Sequence, residues 1–196
     1  YSGYPVVREM RALVKNGEIG KIRIVKGSYL QGWLGSNEED SGSNKQAEWR
    51  TDPKRSGAAG SVGDIGSHTM HLIEFITGLK CISVAADLTT FVEGRQLDDD
   101  ASIMLRMSEN VKGNLSISQI ATGQENNFSI SVYGEKGALH WSQENPNYAT
   151  FSKKGVADQI ITRGGVIQSE NSYAGIRIPP GHPEGYLEGF AQIYSD

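Results

Sequence analysis

"DASIMLRMSENVKGNLSISQIA", residues 100–121, contains two short runs with strand composition, separated by the dipeptide Glu-Asn. In "NLSISQI" apolar and polar residues alternate, which is typical of a strand with one covered face and one more polar face. Strands joined by so short a link pair as antiparallel neighbours, because parallel pairing needs a longer crossover connection. This stretch therefore predicts part of an antiparallel sheet.

Three further strands are predicted around this stretch, over residues 81–92, 127–134 and 137–143. The links "EGRQLDDD", "TGQEN" and "EK" consist of residues that favour turns. We therefore expect each of these strands to pair with the next one along the chain. The carboxylates of Asp98–Asp100 are interpreted as a solvated turn, and residues 144–178 show a less regular pattern.

Helices are predicted near both ends of the chain and in its middle. The first begins at Pro5 and stops at Gly17, and the second covers residues 62–77 and stops at Gly78. Proline in the first turn and glycine just after the last turn are the usual helix boundaries. The segment "GHPEGYLEGFAQIY" predicts a turn that leads into a last amphipathic helix.

Residues 22–34 have strand composition, and residues 35–60 are polar, rich in Gly, Ser and Asn, and predict a long loop. Loops of that length inside a domain are usually functional or disordered. The order of elements predicts an α+β fold, namely an open, predominantly antiparallel β-sheet with helices packed on one face. We expect residues 1–196 to form one domain.

Composition excludes several classes of protein. The 196 residues carry a formal net charge of −4 without any cluster of Lys and Arg, which argues against a nucleic-acid partner. No apolar run approaches the roughly 18 residues that a membrane span requires. Cys81 is the only cysteine; it excludes a disulfide framework and suits a reducing, cytoplasmic location. Both ends of the sequence lie in or beside predicted helices, so we expect a piece of a longer protein.

The segment "GSVGDIGSH", residues 60–68, places a carboxylate and an imidazole on the predicted middle helix. On a helical wheel Asp64, His68 and His71 share one flank at the margin of the apolar face, and Asp64 and His68 are four positions apart, so their side chains can meet. The predicted core stripe consists of Ile65, Thr69, Leu72, Ile73 and Ile76.

Several interpretations of this segment stay open. The pattern "Ser61-Val-Gly-Asp64" matches a capping box, and a helical histidine is often only a boundary residue. Glycines would let a ligand approach the helix N-terminus, although no G-K-[ST] follows them to support a phosphate loop. A metal site built from Asp64, His68 and His71 lacks a further ligand nearby, so no metal is expected.

The stretch "EWRTDPKRSGAAGSVGDIGSHTMHLIEFITG" resembles the C-terminal domain of the glucose-fructose oxidoreductase / inositol dehydrogenase family of NAD(P)-dependent sugar and cyclitol dehydrogenases. The segment "GEIGKIRIVKGSYLQGWL" resembles the first helix turn and strand of the same domain, "SVYGEKGALHW" resembles its late hairpin, and "GHPEGYLEGFAQIY" is similar to its terminal helix, in the same order. The resemblance implies an enzyme that transfers hydride between a hydroxyl-bearing carbon of a sugar or cyclitol and nicotinamide.

The resemblance also implies residue roles. His68 would act as general acid/base on the substrate hydroxyl, and Asp64 would hold a neighbouring hydroxyl and tune the imidazole. Five residues match positions that contact substrate in the family: Gln31, Trp33, Trp49, Arg50 and His182. For His182 a structural role before the last helix is an equally good interpretation, and each of the two tryptophans could equally belong to the core. His71 stands where the family more often has an acid, which leaves its role open.

The chain contains no G-x-G-x-x-G after a strand and no catalytic lysine motif. We therefore expect the N-terminal dinucleotide-binding domain to be absent from this chain and NAD or NADP to be bound mainly by that domain, so this chain alone would not turn over. A nucleotide-free sugar-binding or assembly domain is the alternative function. Relatives bury the open sheet face against a second copy, which implies a homodimer or homotetramer.

Overall fold

The computed structural model describes residues 1–165 and 169–196. Eight strands are present in these residues: β1 Ile22–Leu30, β2 Cys81–Thr89, β3 Asp100–Met107, β4 Lys112–Ser118, β5 Asn127–Gly134, β6 Gly137–Ser142, β7 Tyr148–Lys153 and β8 Gln159–Thr162. The helices in the same ranges are α1 Pro5–Lys15, α2 Lys45–Arg50, α3 Pro53–Ser56, α4 Ser67–Thr77, α5 Glu170–Ala174 and α6 Tyr186–Ser195. A π-helical turn, Val62–Gly66, leads directly into α4.

All strands belong to one sheet with the order β2-β3-β4-β1-β5-β6-β7-β8. Every neighbouring pair is antiparallel except β1 and β4, which are parallel. The helices α1 and α4 pack on one face of this sheet. The predicted α+β class, with an open and predominantly antiparallel sheet, is confirmed.

One predicted pairing is wrong, because β1 lies between β4 and β5. Leu30 at the end of β1 pairs with Ser118 of β4 on one side and with Asn127 of β5 on the other. The link between β4 and β5 covers residues 119–126, which is long enough to cross the roughly 10 Å of two strand spacings. A short link between two consecutive strands indicates that they pair only when no strand from elsewhere in the chain lies between them.

The two faces of the sheet differ as the alternation predicts. On the helix-covered face Leu105, Ile117, Phe128, Ile130 and Trp141 are fully or almost fully buried. The opposite face carries no helix in the part of the chain that the structure describes. A row of serines crosses it from β3 to β6: Ser102, Ser116, Ser28, Ser129 and Ser142.

The segment predicted as a loop, residues 35–60, contains two short helices. Asn44 caps α2 by accepting a hydrogen bond from the Ala47 amide, and Asp52 caps α3 by accepting one from the Lys54 amide. Residues 144–178, which show a less regular sequence pattern, contain β7, β8 and α5. None of these helices or strands exceeds six residues, so their periodicity is too short to be recognised.

The helix predicted at residues 62–77 is present, and every member of its predicted core stripe is buried. It ends at Gly78, which adopts the left-handed conformation with φ 72°. α4 approaches β1 closely at Gly27, where a Cβ atom would lie only 2.4 Å from Cγ2 of Thr69. Among the described residues, no helix is both long enough and apolar enough to cross a membrane.

Candidate active site

Three strands of the sheet deliver polar side chains to the same edge. Gln31 follows the end of β1, Gln119 follows the end of β4, and Asn126 precedes the start of β5. Because β1 runs parallel to β4 and antiparallel to β5, these three positions meet. Nε2 of Gln31 donates to Oδ1 of Asn126 at 2.8 Å, and Nε2 of Gln119 lies 3.4 Å from Oε1 of Gln31.

Asp64 faces this edge from the π-helical turn. Its Oδ2 accepts hydrogen bonds from Nε2 of Gln119 at 2.8 Å and from Nε of Arg50 at 3.0 Å. Its Oδ1 has no hydrogen-bond partner within the described residues. The carboxylate is therefore held by one oxygen, which leaves the other oxygen for a ligand.

The capping box predicted for Asp64 is wrong. Ser61 makes no side-chain cap of its own, and Asp98 caps the segment instead. Oδ1 of Asp98 accepts from the Gly60 amide at 2.7 Å, and Oδ2 accepts from the Val62 amide at 2.8 Å. These amides are those that a phosphate would need at this helix N-terminus, so the phosphate-loop interpretation has no support in the structure.

Arg50 and two tryptophans form one wall of the cleft. The Arg50 guanidinium carbon lies 4.3 Å from the ring centre of Trp49 and 5.9 Å from that of Trp33. Trp33 also donates from Nε1 to Oε1 of Gln31 at 3.0 Å. A cleft of about 360 Å³, lined by Trp49, Arg50, Ser56, Ala58, Ala59, Gly60, Gly63 and Asp64, opens beside them. Its volume lies within the range of roughly 300–1,000 Å³ common for small-molecule sites.

His68 lies one helical turn after Asp64 and packs edge-on against Tyr1, with ring centres 5.3 Å apart. Partial burial lowers the pKa of His68 below its ordinary value, while the nearby Asp64 carboxylate opposes this effect. An imidazole with a lowered pKa is neutral at pH 7 and can accept a proton.

Hydroxyl groups extend the polar network from Asn126 to the neighbourhood of His68. Tyr29 donates to Oδ1 of Asn126 at 2.8 Å, and the hydroxyls of Tyr1 and Tyr29 are 2.5 Å apart. Burial raises the pKa of both tyrosines, so both hydroxyls stay protonated at neutral pH. Polar side chains thus run continuously from Asp64 to Tyr1, whose ring touches His68.

His182 does not lie with Asp64, His68 and the polar side chains around them. It lies in a separate cleft of about 400 Å³ that it shares with Tyr148, Thr162 and Arg163. Nη2 of Arg163 donates to the His182 carbonyl at 2.7 Å, so the backbone at His182 accepts a hydrogen bond from a buried arginine. The imidazole Nδ1 lies 3.3 Å from the carbonyl oxygen of Pro180.

The same terminal segment approaches the site through Tyr186 instead. Tyr186 opens α6, and its hydroxyl is close enough to contribute to the raised pKa of Tyr1 and Tyr29. Backbone contact explains this proximity, because a Cβ on Gly3 would lie 1.9 Å from the Gly189 carbonyl oxygen. The first turn of α6 therefore packs on the segment that carries Tyr1.

A family model for the GFO/IDH/MocA C-terminal domain matches residues 7–140, more than half of the chain. The chain belongs to the GFO/IDH/MocA family. The family expected from the sequence is thereby confirmed. The matched range contains Gln31, Asp64, His68, Gln119 and Asn126. The side chains of Gln31, Gln119 and Asn126 meet at one edge of the sheet, and Gln119 donates a hydrogen bond to Asp64.

Individual GFO/IDH/MocA relatives agree with this assignment. An uncharacterized oxidoreductase, YfiI, of Bacillus subtilis (strain 168) is 30% identical over 99% of this chain and 50% of its own length. The crystal structure of an oxidoreductase from Sinorhizobium meliloti is 43% identical, with a TM-score of 0.86 over 100% of this chain and 50% of that chain. A second crystal structure is that of an inositol dehydrogenase homolog complexed with NAD+ from Azotobacter vinelandii. It has a TM-score of 0.94 at 28% identity, over 99% of this chain and 50% of that chain. The chain thus spans about half the length of these relatives.

Sequence reasoning missed several residues of this GFO/IDH/MocA domain that complete the site: Tyr1, Tyr29, Asp98, Gln119, Asn126 and Tyr186. The available signal was weak, since Gln119 and Asn126 are polar residues at the ends of predicted strands. His71, whose role the sequence left open, stacks on Phe75 with ring centres 6.2 Å apart. Across the described ranges, no three His, Cys, Asp or Glu side chains are arranged to hold a metal ion.

Proposed function

We propose that this chain is the substrate-binding part of an NAD(P)-dependent dehydrogenase that transfers hydride between a hydroxyl-bearing carbon of a sugar or cyclitol and nicotinamide. The observation that carries the proposal is the position of the His68 imidazole one helical turn after Asp64, whose carboxylate is held by Gln119 and Arg50 through Oδ2 alone. Relatives support the substrate class: the Azotobacter vinelandii inositol dehydrogenase homolog was crystallised with NADH and myo-inositol, and a levoglucosan dehydrogenase of Pseudarthrobacter phenanthrenivorans is 24% identical.

His68 is assigned the proton transfer. Oxidation of an alcohol requires a base that takes the hydroxyl proton as hydride leaves the adjacent carbon. Because partial burial lowers the pKa of His68, its ring is in the basic form at neutral pH. In the reverse direction the protonated ring returns the proton, which makes His68 a general acid/base.

Asp64 is assigned the orientation of substrate. Its free Oδ1 accepts a hydrogen bond from a hydroxyl next to the reacting one, while Gln119 and Arg50 hold Oδ2 in place. A vicinal pair of hydroxyls is thus bound by one carboxylate and one imidazole on the same helix flank. This geometry suits polyols, which offer such pairs around a ring.

The cleft walls suit a polyhydroxylated ring in a second way. The flat faces of Trp33 and Trp49 can cover its C–H groups, and Gln31 and Asn126 can exchange hydrogen bonds with its hydroxyls. His182 is a poorer candidate for substrate contact than Tyr186, because it lies in a different cleft. We therefore propose Tyr186 as the residue of the terminal segment that faces substrate.

The nicotinamide, when bound, takes the hydride. At the π-helical turn the amides of Gly60 and Val62 already donate to Asp98, so they are not available to its pyrophosphate. This chain matches about half the length of its relatives, and we assign cofactor binding to a domain that corresponds to their other half. NAD and NADP are equally compatible with this assignment.

The decisive experiment is substitution in the full-length enzyme, assayed with NAD+ and NADP+ against myo-inositol and levoglucosan. His68→Ala should lower kcat by about 10²- to 10⁴-fold, the usual effect of removing a general base. The Michaelis constant for the cofactor should stay near the wild-type value, because His68 serves the substrate.

His71→Ala is the matched control, because His71 lies on the same helix but contacts Phe75 rather than the polar network. If His68→Ala retains wild-type kcat, or loses no more activity than His71→Ala, the catalytic assignment is wrong. If the full-length protein binds sugars but oxidises none with either cofactor, the alternative of a nucleotide-free sugar-binding or assembly domain is correct.

A further inference from the structure

The turn that carries Asp64 is held by a residue from a distant part of the chain. Asp98, in the connection between β2 and β3, uses both carboxylate oxygens for this purpose. Oδ1 accepts from the Gly60 amide at 2.7 Å, and Oδ2 accepts from Oγ of Ser61 and from the Val62 amide, both at 2.8 Å. The Ser61 amide also donates to the Asp98 carbonyl at 2.8 Å.

The contact is close as well as polar. A Cβ on Gly60 would lie only 2.1 Å from the Asp98 carbonyl oxygen, so the residue at position 60 must be glycine for the two segments to approach. Ser61 is fully buried, and its hydroxyl donates to the Asp98 carboxylate. Four hydrogen bonds therefore fix the chain two to four residues before Asp64.

The connection that carries Asp98 is itself anchored. The Arg95 side chain, 1% exposed, donates to Asp99 at 3.1 Å and to both carboxylate oxygens of Glu39 at 2.8 Å. Asp99 accepts from the amides of Phe91 and Val92 at 2.9 and 3.0 Å. A carboxylate with three donors, one of which is a buried cation, has little freedom to move.

The same connection also positions the other partner of Asp64. The backbone N–H of Gln119 donates to the Asp99 carbonyl at 2.9 Å. The side-chain Nε2 of Gln119 donates to Oδ2 of Asp64 at 2.8 Å. Adjacent residues, Asp98 and Asp99, therefore fix the two segments whose side chains meet at the active-site carboxylate.

We propose that Asp98 is a positioning residue for the dehydrogenase, which sets the π-helical turn so that Asp64 meets Gln119 and Arg50 and leaves Oδ1 directed to substrate. The inference rests on the proposed function of Asp64. Catalytic groups work only within a narrow range of positions, and a displacement of 1 Å can cost about 100-fold in rate. A π-helical turn has a poorer hydrogen-bond geometry than an α-helix and is common at functional sites, so an external clamp has a clear use here.

The test is a double-mutant cycle in the full-length enzyme, with the substrate that it oxidises among myo-inositol and levoglucosan. Asp98→Asn keeps the size of the side chain but replaces one acceptor with an NH2 group that faces N–H donors. In the wild-type background it should lower kcat/KM by about 10- to 100-fold. In the Asp64→Asn background it should lower kcat/KM by less than about threefold, because the group that it positions is already impaired.

Asp100→Asn is the matched control, since Asp100 is adjacent in sequence and has no side-chain hydrogen bond among the described residues. It should leave kcat/KM within about twofold of the wild type. A residue that only supports the fold would lower activity by the same factor in both backgrounds. Equal losses in the two backgrounds, or no loss in either, would overturn the inference.

A structural readout does not depend on turnover. In a crystal structure of the Asp98→Asn variant, Asp64 should have moved beyond hydrogen-bonding distance of Gln119. Retention of both Asp64 contacts in that structure would also overturn the inference. If the Asp98→Asn variant does not fold, Ser61→Ala, which removes one of the four hydrogen bonds, replaces it in the double-mutant cycle. The loss of kcat/KM should again be larger in the wild-type background than in the Asp64→Asn background, and equal losses would again overturn the inference. A loss of activity in His68→Ala together with equal Asp98 losses would reject this inference alone and leave the proposed function standing.

Discussion

His68 has an electrostatic environment that affects stability as well as chemistry. Its pKa is lowered in the folded chain by partial burial. In the unfolded chain a histidine titrates near pH 6.5. As the pH falls through that value the unfolded state therefore binds a proton before the folded state does, and protonation favours unfolding.

This difference predicts a stability that is complete above about pH 6.5 and falls as the pH is lowered through the unfolded pKa toward the lower folded pKa. Thermal melts of this chain between pH 8 and pH 5 should show a larger decline for the wild type than for His68→Gln, which cannot titrate. An identical decline in both proteins would show that His68 does not contribute to it.

At the scale of the elements, the contact between α4 and β1 determines where the site lies. Gly27 is the point of closest approach, because a side chain there would meet Thr69 at 2.4 Å and Leu115 at 3.1 Å. Even one methyl group would have to push α4 away from the sheet. The helix that carries His68 therefore depends on a glycine in the neighbouring strand.

Gly27→Ala should destabilise the chain by about 1–3 kcal/mol, the usual cost of inserting atoms into a packed interior. Urea denaturation followed by circular dichroism measures this difference. Ser28→Ala, one residue further on the open face of β1, is the control and should change the free energy of unfolding by less than about 0.5 kcal/mol. Equal effects of both substitutions would mean that the approach of α4 tolerates a side chain at position 27.

Local patterns predicted part of the site. The 3.6-residue period placed Asp64 and His68 on one helix flank, and the resemblance added Arg50, Trp33 and Gln31, which the structure joins to Asp64 directly or through Gln119. These positions could be predicted because each belongs to a motif of a few consecutive residues.

The remaining residues of the site depend on contacts between distant parts of the chain. Gln119 and Asn126 meet Gln31 only because β1 is inserted between β4 and β5, and no local alternation encodes that insertion. Asp98 lies in a run of three acidic residues that predicts a solvated turn, yet its partners are 36 to 38 positions away. Capping rules consider only neighbours in sequence and so assigned the cap to Ser61 and Asp64.

At the scale of the whole molecule, the sheet face opposite α1 and α4 carries no helix in the described part of the chain. It forms a concavity of about 820 Å³, lined chiefly by small and polar side chains of β1 to β5. Large apolar side chains are exposed around it: Ile24, Met104, Tyr133, Tyr148 and Ile160. Small residues in the centre with apolar residues around them suit close contact with another sheet.

We therefore predict a homodimer or homotetramer that is formed through this face by a second copy of the chain. Light scattering at high micromolar concentration should give at least twice the monomer mass. Ser116→Arg, in the serine row, should shift the mass to that of a monomer, because it introduces a buried charge. Ser36→Arg, in an exposed loop on another part of the surface, is the control, and a monomeric wild type would contradict the prediction.

The central position of β1 has a consequence for protein synthesis. Ile24 pairs with Lys112 on one side and with Tyr133 on the other, so both neighbours of β1 leave the ribosome long after β1 itself. Until residue 118 has emerged, β1 has no partner on either edge, and until residue 134 has emerged it lacks its second partner. An unpaired strand edge in an incomplete chain is a hazard for misassociation. Because β1 must wait for partners so distant in sequence, we expect its pairing to be a slow step in the folding of this domain.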